Sequence, residues 1–475
     1  MVLEWPRLLE ALAGHARSTM GAARCRALEL ATSLHDAQQR LQETTEMGQL
    51  QASGWALPTL TFPDVRDPLA RAKKGATLEI HELRDCAMVL ELLEECGRVV
   101  ERHQDDAPTL VSVAHNLQSI RELRPVKSSL DAAIHQNGSI KESATPELRR
   151  STHQAQSLKQ EMRHQLDHIL HSPRYGEILQ ETYFAQREGR YVIPVKADMK
   201  GRVSGIVHDI SASGATVFLE PRELVDLNNS IKMTDLEIER EVRRILHELS
   251  CLVATQSDVL LAGLDALSLL DCISARASFC RQLKTHPVRL NDKGRIRLRQ
   301  ARHPLLVLSK EQVVANDILL DESIHVLVIS GPNTGGKTVT LKIVGLFALM
   351  VRAGLHLPCD MESEMAIFAD IYADIGDTQD LARDLSSFSA HMTQMIQLLE
   401  EMGQRRRAEM NTVPQQPLLL LDEPVTSTDP TEGAALAEAL LCRLATLGMK
   451  VIATTHYGSL KTLAHTMPGF ANASV

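Results

Sequence analysis

Aromatic side chains are scarce in this sequence: they make up 3% of 475 residues, with 2 Trp, 5 Tyr and 8 Phe. That argues against a recognition surface built from stacked rings and favours long helices. Paired cysteines are also missing. The 8 cysteines are irregularly spaced and none falls in a C-x-x-C motif, which speaks against a zinc site or a disulfide framework. Reduced thiols in a cytoplasmic protein are the expectation. Long apolar runs are absent too. Stretches such as Gly345 to Val351 are far too short to cross a bilayer, so no membrane partner is expected. The first 30 residues scatter Arg7, His15, Arg17 and Arg24 among apolar groups and contain no signal-peptide core. There is no excess of positive charge. The formal net charge is -9, so any nucleic-acid contact must come from a local basic patch. Tandem repeats and low-complexity tracts are lacking.

The length allows two to four domains. Residues 1 to about 290 read as mainly helical. Leu8, Leu9 and Leu12 open a helical spacing, and Ala23, Ala27, Leu30, Leu34, Ala37 and Leu41 continue it. After a break at Pro58, Pro63 and Pro68, a further block holds Leu83, Met88, Leu90, Leu92 and Leu93. Thr145-Pro146-Glu147 predicts a helix start: a hydroxyl cap, proline in the first turn, then an acid at the positive end of the dipole. Leu148 to Ile169 and Leu227 to Leu252 carry two coiled-coil-like stripes. Between them, Tyr191 to Ile193, Val203 to Val207 and Ala215 to Leu219 read as strands, with a turn at Ser213-Gly214. Two long helices flanking a small β insert would make a stalk with a tip; a helical bundle with a hairpin loop is the alternative. From about 291 short apolar strands alternate with helices, at His325 to Ser330, Leu418 to Asp422 and Lys450 to Thr455. A mostly parallel, covered sheet is expected there.

Gly331-Pro332-Asn333-Thr334-Gly335-Gly336-Lys337-Thr338 matches G-x-x-x-x-G-K-[ST] between a predicted strand and a predicted helix. In such a P-loop, backbone N–H groups close around phosphate oxygens. Lys337 neutralises β and γ charge, and Thr338 ligates Mg²⁺. An apolar strand ending in Asp422-Glu423 supplies the complementary acids. Asp422 is assigned to the metal shell and Glu423 to the attacking water. A third strand ends at His456, placed to sense the γ-phosphate. ATP and Mg²⁺ are the expected ligands.

The order GPNTGGKT, DE, ATTHY resembles the ATPases of the MutS family. Further segments resemble its type-two branch, which does not read mismatches. They are Ala301 to Pro304, Val313 to Asp317, Ala373 to Gln379, Leu385 to Met392, Tyr191 to Val195, Ser213 to Thr216 and Leu227 to Asn229. The resemblance spans nearly the whole chain. It implies a multidomain α plus α/β protein, with a helical core and a long-helix lever carrying a small β clamp, followed by an ABC-like P-loop ATPase domain. The implied layout is core at 1–122, lever at 123–260 with the clamp insert at about 175–222, core return at 261–290 and ATPase domain at 291–475. It also implies a homodimer with composite ATP sites. Ser386 and Ser387 would contact the partner's γ-phosphate, Gln379 would take the glutamine-loop position, and Val314 to Asn316 would lie near adenine. A serine cluster at a helix start is equally a cap. The family usually reads Asp-Glu-Leu-Gly-Ala-Gly-Thr-Asp-Pro at the acid pair. Here Pro424, Val425 and Ser427 replace the leucine and both glycines, which removes backbone freedom. The family pattern also continues beyond Val475 and usually ends in an Smr nuclease domain. No nuclease residues are expected in this chain, which is read as a fragment or a shortened member.

The mismatch-reading branch uses a Phe-x-Glu wedge. Phe218-Leu219-Glu220 has that form but lies in the β insert, where Phe218 is expected to pack in the core. Arg187, Arg190, Lys196, Lys200 and Arg202 fall within sixteen residues and are the candidate DNA contacts. A merely solvated basic surface is the other reading, and Arg405 to Arg407 is read as a solvated run. The functional expectation is an ATP-driven dimeric clamp on branched or recombining DNA. The alternatives are a clamp acting on stalled ribosomes and a nucleotide-binding structural protein with weak turnover.

Overall fold

The structure is a computed structural model that describes residues 2–54, 57–113, 122–332, 336–376, 393, 396–397, 399–400, 416–425 and 429–475. It divides into two compact units. The first comprises Met1–Thr61, Leu93–Gln118 and Gly263–Val475; the second comprises Phe62–Leu92 and Ser119–Ala262.

In the second unit, two long helices pack together, Pro146–Leu170 and Arg222–Thr255. The first begins where its sequence says it should. Thr145 accepts a hydrogen bond from the Leu148 N–H at 3.1 Å, and Pro146 occupies the first turn. The Thr145 hydroxyl also donates to Glu241 at 2.7 Å, tying this start to the second helix. Between the helices lie β1 (Ala185–Arg187), β2 (Arg190–Lys196), β3 (Gly205–Ile210) and β4 (Thr216–Pro221), in the sheet order β1-β2-β4-β3 with all pairs antiparallel. Gly214, at φ 72°, makes the predicted turn between β3 and β4. Ile193, Val195, Leu219, Met162, Leu166, Leu224 and Ile231 share one core, so the sheet is built onto the helix ends. Phe218 is buried, as expected of a core residue.

The first unit holds β5 (Arg289–Asn291), β6 (Ile296–Ala301), β7 (Asn316–Leu320), β8 (Val326–Ser330), β9 (Glu364–Ala366), β10 (Ile371–Asp374), β11 (Leu418–Leu421), β12 (Lys450–Thr455) and β13 (Phe470–Ser474). Strands β10-β11-β12-β8-β13 form a sheet whose pairs are all parallel, and β5-β9-β6-β7 form a smaller mixed sheet. Strands β8 and β11 of the parallel sheet read as apolar runs because both faces are covered. Leu327, Ile329, Leu418, Leu420 and Ile452 pack with Leu341, Val344 and Phe347 of the helix Lys337–Arg352. Val326, Val328, Leu419, Leu421 and Val451 pack with Ala437, Leu441 and Leu444 of the helix Pro430–Thr446.

Two details differ from the sequence reading. The spacing from Ala23 to Leu41 is not one helix but two, Thr19–Arg26 and Leu34–Ala52. Ser33 caps the second, accepting from the Asp36 N–H, and the link is held by the Ala31 N–H donating to the Arg352 carbonyl at 2.9 Å. Met88 lies on the exposed side of the helix Ile80–Arg102, while Leu83, Leu90 and Leu93 are buried. Among the described residues, no helix is long and apolar enough to cross a membrane.

Candidate functional site

Parallel strands end together, so β8, β11 and β12 deliver their C-terminal residues to one edge of the sheet. Each of those ends carries part of the predicted site. The loop after β8 runs through Gly331 and Pro332 to Gly336, which stands at φ 87° before the helix Lys337–Arg352. A left-handed residue there costs a glycine little and turns the backbone into the helix N-terminus. Asn333, Thr334 and Gly335 lie outside the described residues, as do Gln379, Ser386, Ser387 and the Arg405 to Arg407 run.

The Lys337 side chain is only 2% exposed, so its charge must be met inside the protein. Its Nζ donates to the Gly331 carbonyl at 3.1 Å, stands 3.1 Å from Glu423 Oε1 and lies 2.8 Å from His456 Nε2. His456 Nε2 is in turn 2.5 Å from the same Glu423 oxygen. Beside this cluster, the Thr338 hydroxyl donates to Asp422 Oδ2 at 2.7 Å, and the Thr454 hydroxyl donates to Oδ1 at 2.6 Å. Thr454 Oγ1 also accepts the Glu423 N–H at 2.9 Å. The predicted loop, acid pair and histidine therefore meet in one place, although Lys337 and His456 are 119 residues apart.

The segment after the acids turns sharply. Glu423 has φ 52° and Val425 φ 66°, both left-handed. For a β-branched residue this is a strained backbone. Val425 is pinned there by the Tyr457 hydroxyl, which donates to its carbonyl at 2.9 Å. Ser427 is outside the described residues. Asp429 then caps the helix Pro430–Thr446, accepting from the Thr431 and Glu432 N–H groups.

Asn316 reaches the loop indirectly: its amide donates to Thr340 Oγ1 at 3.2 Å, and that hydroxyl donates to the Gly336 carbonyl at 3.0 Å. Val314 is 86% exposed. The donor set suits a magnesium nucleotide. A hydroxyl and a carboxylate, both hard oxygen donors, share one hydrogen bond, and a buried ammonium lies next to them. Sequence reasoning missed Thr454 and Tyr457. The only signal was hydroxyls flanking His456 on a strand that parallel register sets beside the acid pair.

The five basic candidates of the β insert separate in the structure. Arg190 is committed internally, with Nη1 2.7 Å from Glu220 and Nη2 donating to Asn229 at 2.6 Å. Glu220 is fully buried and is also met by His208 at 2.6 Å and the Asn228 amide at 2.8 Å. Arg187 pairs with Asp209 at 3.0 Å and lies over the Phe218 ring, and Lys196 donates to the Glu177 carbonyl. Lys200 and Arg202 form an exposed 3₁₀ turn, and neither side chain has an ion pair among the described residues.

Residues 327–475 match the family described as MutS domain V. Over its whole length the chain is 38% identical to a protein named endonuclease MutS2 from Shouchella clausii, and 38% identical to one of the same name from a Geobacillus strain. It is 35% identical to a putative endonuclease MutS2 from Bacillus subtilis. In each case the chain spans 59% of the relative's length. Taken with the loop, acid pair and histidine at one sheet edge, these matches make the chain similar to type-two MutS proteins over its whole length.

Proposed function

We propose that this chain is an ATP-hydrolysing, DNA-binding clamp segment of the MutS type. The observation that carries the reading is the convergence of Lys337, Glu423 and His456 beside the Thr338–Asp422 pair. In this reading residues 331–338 hold the triphosphate, with Lys337 meeting its charge. Thr338 and Asp422 would hold Mg²⁺, which would supply charge neutralisation to the phosphates. Glu423 orients a water and takes its proton once Lys337 has turned to phosphate. His456 would sense the γ-phosphate, and loss of that group would be felt through its bond to Glu423. Gln379, Ser386 and Ser387 complete the site, the two serines acting across a homodimer. Val314 and Asn316 belong to the adenine side.

The long helix pair is the lever, and the sheet β1 to β4 is the clamp. The 291–475 region is the ATPase domain, with core segments at 1–122 and 261–290 and the lever at 123–260. Lys200 and Arg202 are the DNA contacts we favour, because the other three basic residues already have partners. Branched or recombining DNA is the proposed target and the cytoplasm the proposed site of action.

The test has two arms. Phosphate release should be measurable and should fall about a hundredfold or more in Glu423→Gln. Binding to a four-way DNA junction should weaken with salt, and more weakly so in a Lys200→Gln, Arg202→Gln variant. Co-sedimentation with ribosomes and no junction binding would overturn the DNA part. Equal, near-zero release from both proteins would overturn turnover.

A further inference from the structure

Asp422 and Glu423 are consecutive, yet they need different orientations: one toward a metal, the other toward a water. A single buried hydroxyl holds both. Thr454 is fully buried in β12. The register that sets Leu421 opposite Ala453 carries one step further to put Asp422 beside it. Its hydroxyl has one proton and donates it to Asp422 Oδ1 at 2.6 Å. Its oxygen accepts the Glu423 N–H at 2.9 Å, and so holds the backbone of a residue that stands at a left-handed φ of 52°. Asp422 is thereby fixed between two hydroxyls, Thr454 on one oxygen and Thr338 on the other. Valine has the same shape as threonine and could make neither bond.

We infer that Thr454 is a positioning residue that sets the metal-facing carboxylate and the water-facing acid together from the neighbouring strand. The inference rests on the nucleotide reading above. It assigns Thr454 no contact with substrate; its effect passes through Asp422 and Glu423.

The experiment compares the full chain with Thr454→Ser and Thr454→Val, measuring ADP binding at stepped Mg²⁺ and phosphate release. Serine keeps the hydroxyl and should hold both within about twofold. Valine should raise the Mg²⁺ needed for half-maximal effect about tenfold or more and lower kcat, leaving Mg²⁺-free ADP affinity unchanged. Thermal unfolding checks that the valine variant is folded; if it is not, Thr454→Ala carries the same measurement. A folded valine or alanine variant with the unaltered Mg²⁺ dependence overturns the inference, as does serine behaving like valine. An unaltered chain that binds no ADP overturns the nucleotide reading itself, which separates the two failures.

Discussion

The Lys337 ammonium and the Glu423 carboxylate stand 3.1 Å apart, an ion pair between the loop amine and the acid assigned to the attacking water. Glu423 thus occupies the side of the lysine that a phosphate would use. On the proposed nucleotide reading, entry of a phosphate breaks this pair, and its cost sets part of the affinity.

Replacing Glu423 with Gln removes the competing charge and keeps the shape. ADP has no γ-phosphate to lose, so its affinity reports binding alone. We expect Glu423→Gln to bind ADP about tenfold more tightly, on the order of 1.4 kcal/mol. Calorimetric titration showing equal or weaker binding would remove the competition argument.

Val425 offers a test of backbone strain. Alanine ordinarily stabilises a position relative to glycine, by restricting the unfolded chain. At φ 66° the order should invert, because only glycine adopts that conformation without cost. Val425→Gly should be about 1 kcal/mol more stable than Val425→Ala in denaturant melts. Alanine ranking above glycine would mean the strain is absent in solution.

In the β insert, Arg190 and Lys200 should behave oppositely on neutralisation. Arg190→Ala leaves the buried Glu220 with His208 and Asn228 as its side-chain partners among the described residues, and should destabilise that unit by about 3 kcal/mol. Lys200→Ala should change stability by less than about 0.5 kcal/mol. Urea melts of the two variants decide this.

Acid should weaken the first unit through two buried imidazoles. Burial lowers His303 and His356 to about 4 from the usual 6.5. Between those values the unfolded chain binds the extra protons, so stability rises with pH through this window and is lost as pH falls. Each imidazole accounts for about 2–3 kcal/mol between pH 6.5 and 4. His303→Gln should flatten that slope in pH-stepped melts; an unchanged slope would show that His303 does not contribute.

The convergence of the site is legible wherever one motif marks one strand end. The loop at 331–338, the acids at 422–423 and His456 each announce themselves by residue type at a strand end. Thr145-Pro146 announced a helix start because its cap is a local bond to Leu148. What escaped depends on neighbours distant in sequence. Arg190 looks free in the sequence, yet its partner Glu220 lies thirty positions away on β4, the strand hydrogen-bonded to its own. Thr454 is an ordinary strand threonine until β11 is laid beside it. The break between Arg26 and Leu34 was hidden because the apolar spacing happens to run through it, and Ala31 is held by a carbonyl more than three hundred residues on.

The position of β8 within its sheet has a consequence for synthesis. Its neighbours on either side are β12 and β13, made from residues 450–455 and 470–474. A nascent chain therefore exposes the loop-bearing strand for well over a hundred residues of elongation before either edge is covered. Closing such non-local pairings is slow, so the sheet edge that carries Lys337, Asp422 and His456 is assembled late in synthesis. Until then the apolar run Val326–Ile329 is an open edge that a chaperone would be expected to shield.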